Sequence, residues 1–191
     1  VKSVGPGTET PGCVIITGVP AAGKSTAAQL VAERYPRAAR IDGDVLSYMV
    51  VSGRAGPVSS PGPEADRQAR LCARNVCALA GNFADEGFVP VIDTVVADRA
   101  ALDFMLAELR PRPVLFVVLA PPLDVCHRRD AERAPRQRVG IDCGPLRRAM
   151  LDELGDAGWW LDNAELTPDE TADAIVRRLG APSPAPRGVG S

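Results

Sequence analysis

The segment GVPAAGKS, from Gly18 to Ser25, sets a glycine at each end of a short loop and follows the second with lysine and serine, matching GxxxxGK[ST] at every fixed position. Glycines let a backbone curl until successive N–H groups face one anion, and a helix opening at Lys24 would add the positive end of its dipole. The chemistry is that of a polyphosphate cradle. Lys24 neutralises charge between the β- and γ-phosphates of ATP, and Ser25 offers its hydroxyl to Mg²⁺. Gly18, Ala21, Ala22, Gly23, Lys24 and Ser25 are therefore the expected nucleotide-binding set, with Thr26 capping or packing beside them.

Three carboxylates come next. Asp42 and Asp44 lie in RIDGDVL, Arg40 to Leu46, and Asp93 closes the run FVPVID. Each falls where a strand should end, and open α/β sheets bind ligands beyond the C-terminal ends of their strands. A hydroxyl is too weak an acid to attack phosphorus unaided, so a carboxylate must orient it and take its proton. Asp44 is the preferred base and contact to the acceptor, with Asp42 and Asp93 as alternatives. A competing role makes Asp44 the N-cap of the following helix. Asp42 and Asp93 are also expected, with Ser25, around Mg²⁺ and its waters. Thr94, Asp98 and Arg99 lie where an acceptor would be gripped, although Asp98 and Arg99 equally suit an ordinary polar helix start.

Arginines supply the remaining charge. From Arg128 to Arg138 five arginines occupy eleven positions, interrupted by Pro135. Arg129 and Arg133 are four apart, one helical turn, and Arg136 follows; the three are expected on a lid that closes over the transferring phosphoryl oxygens. Arg129 also belongs to the expected nucleotide contacts. Asp162 and Asn163 fit a loop against the base, and equally a plain turn into a capped helix. On the segment Glu64 to Glu86, Arg67, Arg70, Arg74 and Asn75 read as a solvated helix face rather than as an anion clamp.

These groups need a scaffold. Short apolar runs at Cys13 to Thr17, Ala38 to Ile41, Phe88 to Ile92, Val114 to Leu119 and Trp159 to Leu161 alternate with helical segments, and VLFVVL is apolar throughout, as a strand covered on both faces must be. Pro90 sits awkwardly in the third run for a central strand. The expected fold is α/β: a three-layer P-loop NTPase architecture with a parallel sheet of about five strands and an arginine-rich lid. Residues 13–179 form the domain, between a flexible lead-in over 1–12 and a disordered tail over 180–191, with a mobile loop at Gly53 to Pro63.

Composition narrows the function. With 22 basic and 24 acidic side chains among 191 residues the net charge is −2, which provides no general field for a polyanion, so nucleic acid is not an expected partner. No run approaches the ~20 apolar residues of a membrane span and no signal-peptide h-region is visible, which predicts a cytoplasmic protein. The 5 cysteines, irregularly spaced with 1 histidine, predict plain thiols. Nothing sets an oligomeric state.

Over Cys13 to Leu179 the chain resembles the P-loop small-molecule kinases related to chloramphenicol phosphotransferase, zeta toxins and the adenylylsulfate and gluconate kinases. The resemblance rests on GVPAAGKS, on DGDVL, on the arginines at 129, 133 and 136, and on the late Asp162-Asn163. It implies that Asp44 activates the acceptor hydroxyl and that the late loop contacts the base. There is no FGVDS-like stretch, so chloramphenicol itself is weakly implied. The chain is short for a zeta toxin. High arginine and alanine usage resembles a GC-rich bacterium, which suggests a role in antibiotic production or resistance. The expected activity is ATP-dependent phosphorylation of a small hydroxylated molecule. The alternatives are a nucleotide-gated switch or interaction protein with slow hydrolysis, and a nucleic-acid 5′-hydroxyl kinase.

Overall fold

A computed structural model describes residues 12–56 and 60–179. The tail and all of the lead-in but Gly12 lie outside the described residues, as do 57–59 of the expected mobile loop. The apolar runs become β1 (Cys13–Thr17), β2 (Ala38–Asp42), β3 (Val89–Asp93), β4 (Val114–Leu119) and β5 (Trp159–Leu161). They form one parallel sheet in the order β2-β3-β1-β4-β5. Every residue of β1 and β3 is buried, as a strand between two helical layers requires.

Between the strands run α1 (Lys24–Glu33), α2 (Gly43–Tyr48), α3 (Pro63–Asp85), α4 (Arg99–Glu108), α5 (Leu123–Ala131), α6 (Gly144–Leu154) and α7 (Pro168–Leu179), with a short 3-10 turn at Pro135–Gln137. Helix α1 packs with α7 and α3 with α4. Arg34 on α1 reinforces the first pair by binding Asp169 at 2.7 Å and Asp173 at 3.0 Å on α7. Helix α7 starts with a reciprocal cap: the Thr167 hydroxyl accepts from the Glu170 N–H at 3.2 Å, while Glu170 accepts from the Thr167 N–H at 2.8 Å.

Pro90 does occupy an interior strand. The Val89 N–H donates to Arg37 on the β2 side, while the Thr94 N–H donates to Ile16 on the β1 side. By alternation the N–H that proline lacks would have pointed toward β1, just before the first β1–β3 pair, Val14 with Val91. The ladder loses nothing there, which is why the ring is tolerated.

β1 lies centrally with β3 on one side and β4 on the other, so its C-terminal end is where successive connections diverge. That is the crevice position of open α/β sheets. Thr17, fully buried, pins the crevice floor: its hydroxyl accepts from the Val96 N–H at 2.8 Å and holds the loop leaving β3.

Candidate functional site

The loop Gly18–Gly23 rises from β1 into α1. At Gly18 φ is +147°, and a Cβ there would lie 2.5 Å from the Leu119 carbonyl oxygen at the end of β4, so no larger residue fits. Ala21 adopts φ 61°, a left-handed conformation that costs a non-glycine residue about 1–2 kcal/mol. Two side chains tie the far side of the loop: Arg129 and Asn163 both donate to the Ala22 carbonyl, at 3.4 and 3.1 Å. Across a planar trans peptide the carbonyl and the next N–H point opposite ways, so tethering that carbonyl turns the Gly23 N–H away from Arg129 and Asn163. The braces hold the cradle open.

Lys24 is half-buried and donates to the Val19 carbonyl at 3.2 Å. Burial holds its pKa below the ordinary lysine value; Asp93 and Asp44 pull it back up, while Arg133 pushes it lower. Ser25 and Thr26 are exposed at the start of α1.

Asp42, not Asp44, caps α2. Its Oδ1 accepts from the N–H groups of Asp44 at 3.0 Å and Val45 at 3.2 Å. The competing cap role for Asp44 is thereby corrected: as the last, extended residue of β2, Asp42 already stands at the N-cap. Asp44 falls in the first turn, and its carboxylate makes no hydrogen bond or ion pair among the described residues. It is exposed, yet the protein around it raises its pKa above the usual carboxylate value, Lys24 opposing and Asp42 and Asp93 adding.

Asp93 is 4% exposed and pairs with Arg40 at 3.0 Å; the same guanidinium nitrogen reaches Asp42 at 2.6 Å. Asp42 is thus engaged through both oxygens, which leaves it poorly suited to ligate Mg²⁺. Among the described residues no group of three or more His, Cys, Asp or Glu side chains could hold a metal ion. A Mg²⁺ carried on nucleotide phosphates needs only one or two protein ligands and keeps several waters, and the exposed Ser25 hydroxyl with the buried Asp93 fits that demand.

Gly43 explains the glycine of DGD. A Cβ there would meet the Thr94 Oγ1 at 2.4 Å and its Cβ at 2.9 Å, so Thr94 wedges against the start of α2. Gly43→Ala is expected to cost about 1–3 kcal/mol of unfolding free energy in urea titrations. An unchanged midpoint would mean that Thr94 turns aside freely.

Other expected site residues are used elsewhere. Asp98 caps α4 by accepting from the Ala101 N–H at 2.8 Å, and Arg99 pairs with Asp103 at 3.1 Å and Asp156 at 3.0 Å. Their helix-start role prevails over an acceptor grip. Arg129 donates to the carbonyls of Ala22, Asn163 and Ala164, which makes it a brace rather than a free phosphoryl contact. Helix α5 ends at Ala131, short of Arg133, so these two arginines do not share a helix face. Arg133 still stands close enough to Lys24 to depress it, and pairs with Asp130 at 3.4 Å. Arg136 is exposed on the 3-10 turn, without a partner among the described residues.

Asp130 adds a contact that the sequence pattern does not show. It accepts from the N–H groups of Val139 and Gly140 at 3.0–3.1 Å, folding the arginine segment back on itself, and these bonds lower its pKa. No local pattern announces a contact nine residues along a loop.

Beside the phosphate loop lies a cleft of about 220 Å³ lined by Gly23, Thr26, Ala27, Arg129, Asn163 and Leu166, with Pro168 and Thr171 of α7. Asn163, 4% exposed, lines this cleft, whereas Asp162 accepts from the Ala164 N–H at 2.9 Å and shapes the turn. The cysteines are all free, and burial pushes Cys13 and Cys77 up to about 12.

The AAA domain family matches residues 13–144. No curated protein matches the sequence. Among solved structures, the Mycobacterium tuberculosis APS kinase in complex with AMPPNP and APS superposes with a TM-score of 0.65 at 21% identity, covering 91% of this chain and 100% of that one. The Deinococcus radiodurans tunicamycin resistance protein gives 0.63 at 18% identity, covering 88% and 95%. A sugar kinase from Janibacter sp. gives 0.63 at 21%, covering 88% and 94%. At such identities the likeness is one of fold, and it matches the five-stranded parallel sheet.

Proposed function

The chain belongs to the AAA domain family, and from that membership and the geometry of its cleft we propose that it is an ATP-dependent kinase transferring the γ-phosphoryl group to a hydroxyl of a small molecule. One observation carries this reading. A carboxylate with no structural duty, Asp44, stands across from the phosphate-loop lysine, while its neighbour Asp42 performs the capping that would otherwise occupy it. A carboxylate that neither caps the helix nor pairs with a cation is free to orient an attacking oxygen and take its proton.

In the transfer, an acceptor oxygen oriented by Asp44 forms a bond to the γ-phosphorus as the bond to the β–γ bridging oxygen breaks, and Asp44 takes the hydroxyl proton. Lys24 and Arg133 hold the charge on the phosphates, and Arg136 joins them when the arginine segment closes. Arg129 and Asn163 keep the loop open and wall the base. Ser25 and Asp93 would hold a Mg²⁺ ion, which would supply charge neutralisation. That the neighbours in fold include kinases of APS and of sugars, and a tunicamycin resistance protein, supports a small hydroxylated acceptor, an antibiotic among the candidates. No helix of the described residues is long and apolar enough to cross a membrane.

The test is transfer of label from γ-labelled ATP with Mg²⁺ to a panel of hydroxylated antibiotics, nucleosides, sugars and adenylylsulfate. A labelled acceptor is expected. Tight ATP binding with hydrolysis that no acceptor accelerates would favour a nucleotide-gated binding protein instead.

A further inference from the structure

We propose that Arg40 is a positioning residue of the transfer site: it ties Asp42 to Asp93 through one guanidinium nitrogen and thereby sets where Asp44 stands. This rests on the reading of Asp44 as the acceptor's base.

Arg40 and Asp42 are two residues apart on β2, so they share a face of the strand, while Ile41 between them turns inward at 4% exposure. The β2–β3 register sets Asp42 directly beside Asp93. Two carboxylates side by side at the ends of neighbouring strands repel each other unless a cation lies between them. Arg40 is that cation, with Nη2 at 2.6 Å from Asp42 Oδ2 and 3.0 Å from Asp93 Oδ2. The other oxygen of Asp42 receives the first N–H groups of α2. The contacts therefore run without a gap from Asp93 through Arg40 and Asp42 to the backbone of Asp44.

Helix α2 has only 6 residues, too few to hold its own course, so its direction follows its cap. Arg40 also gives something up: its Nε is buried without a hydrogen-bond partner. A native structure rarely leaves such a donor idle, and here aiming Nη2 at both carboxylates leaves it so.

The test uses the full chain as wild type, Arg40→Gln, Arg40→Lys, Asp44→Asn and the Arg40→Gln/Asp44→Asn double variant. Three quantities are read: hydrolysis of γ-labelled Mg·ATP with water as the acceptor, ATP affinity, and amide hydrogen exchange at Asp44 and Val45. Arg40→Gln is expected to slow hydrolysis by about 10–100-fold, the cost of a misplaced catalytic group. ATP affinity read without Mg²⁺ should stay within about threefold, because the phosphate loop is untouched and the metal-side Asp93 that Arg40 also pairs with then plays no part. Exchange at the two amides should quicken by about tenfold as α2 loosens. Arg40→Lys, which keeps the charge without the planar fork, should lose less, and it carries the same comparison if the glutamine variant does not fold. In the Asp44→Asn background Arg40→Gln should add nothing, since both changes act through one group. Unchanged hydrolysis in Arg40→Gln, or losses that multiply in the double variant, would overturn the proposal and leave the base intact. Asp44→Asn with wild-type hydrolysis would instead remove the base, and Arg40's positioning role with it.

Discussion

Asp44→Asn is expected to lower phosphoryl transfer by about 10²–10⁴-fold, the range a positioned general base contributes. Asparagine preserves shape and removes the charge and basicity needed to take the proton, so ATP should still bind. The unfolding free energy should change by no more than about 0.5 kcal/mol, as for a surface substitution that breaks no contact. Asparagine caps a helix as well as aspartate does, so the alanine variant separates the two roles. Were Asp44 the helix cap, Asp44→Ala would cost about 1 kcal/mol, whereas the bonds to Asp42 Oδ1 place that cost on Asp42→Ala. Full transfer in Asp44→Asn would move the base to Asp93, the remaining carboxylate at the strand ends.

The second large effect is at Lys24. Lys24→Met keeps the length of the stem and deletes the charge, and transfer should fall by about 10²–10³-fold, comparable to losing one preorganised donor at a developing oxyanion. Affinity for ATP, read by fluorescence of a labelled analogue, should weaken as well. Stability should not fall. The charge is held at an electrostatic disadvantage by burial, and the Val19 carbonyl that Lys24 engages also accepts the Ala22 N–H at 3.2 Å. A protein that is as stable or more stable, yet inactive, is the signature of a residue kept for function. Retained transfer in Lys24→Met would show that the phosphates are held by the loop amides and Arg133 alone.

What was legible in the chain was whatever is written locally. GVPAAGKS states its own geometry, because glycines, lysine and serine at fixed offsets leave few conformations that satisfy them. The strands followed from apolar runs, and Asp93 from standing at the end of one. What could not be read depended on partners far along the chain. Arg40 meets Asp93 only through the β2–β3 register. Thr17 meets Val96, and Arg129 meets Ala22 and Asn163, by the way loops close over the sheet. Asp98, Arg99 and Asp162 were placed near ligands by their position after strands, yet each serves a nearer backbone or charge. The arginine segment misled for a related reason: helical spacing put Arg129 and Arg133 on one face, but the helix stops at Ala131 and Asp130 gathers the following loop onto itself. Short-range hydrogen bonds won over periodicity.

The cleft beside the phosphate loop joins residues 23–27, early in the chain, to residues 163–171, near its last helix. During synthesis the phosphate loop leaves the ribosome long before the wall that completes it. Until α7 has emerged and docked on α1, the nascent chain has a cradle without a binding site, and nucleotide can reward only the finished fold. On the proposed function, nucleotide bound in this cleft would act on folding as a late fastener between residues 23–27 and 163–171, stabilising the completed arrangement by mass action.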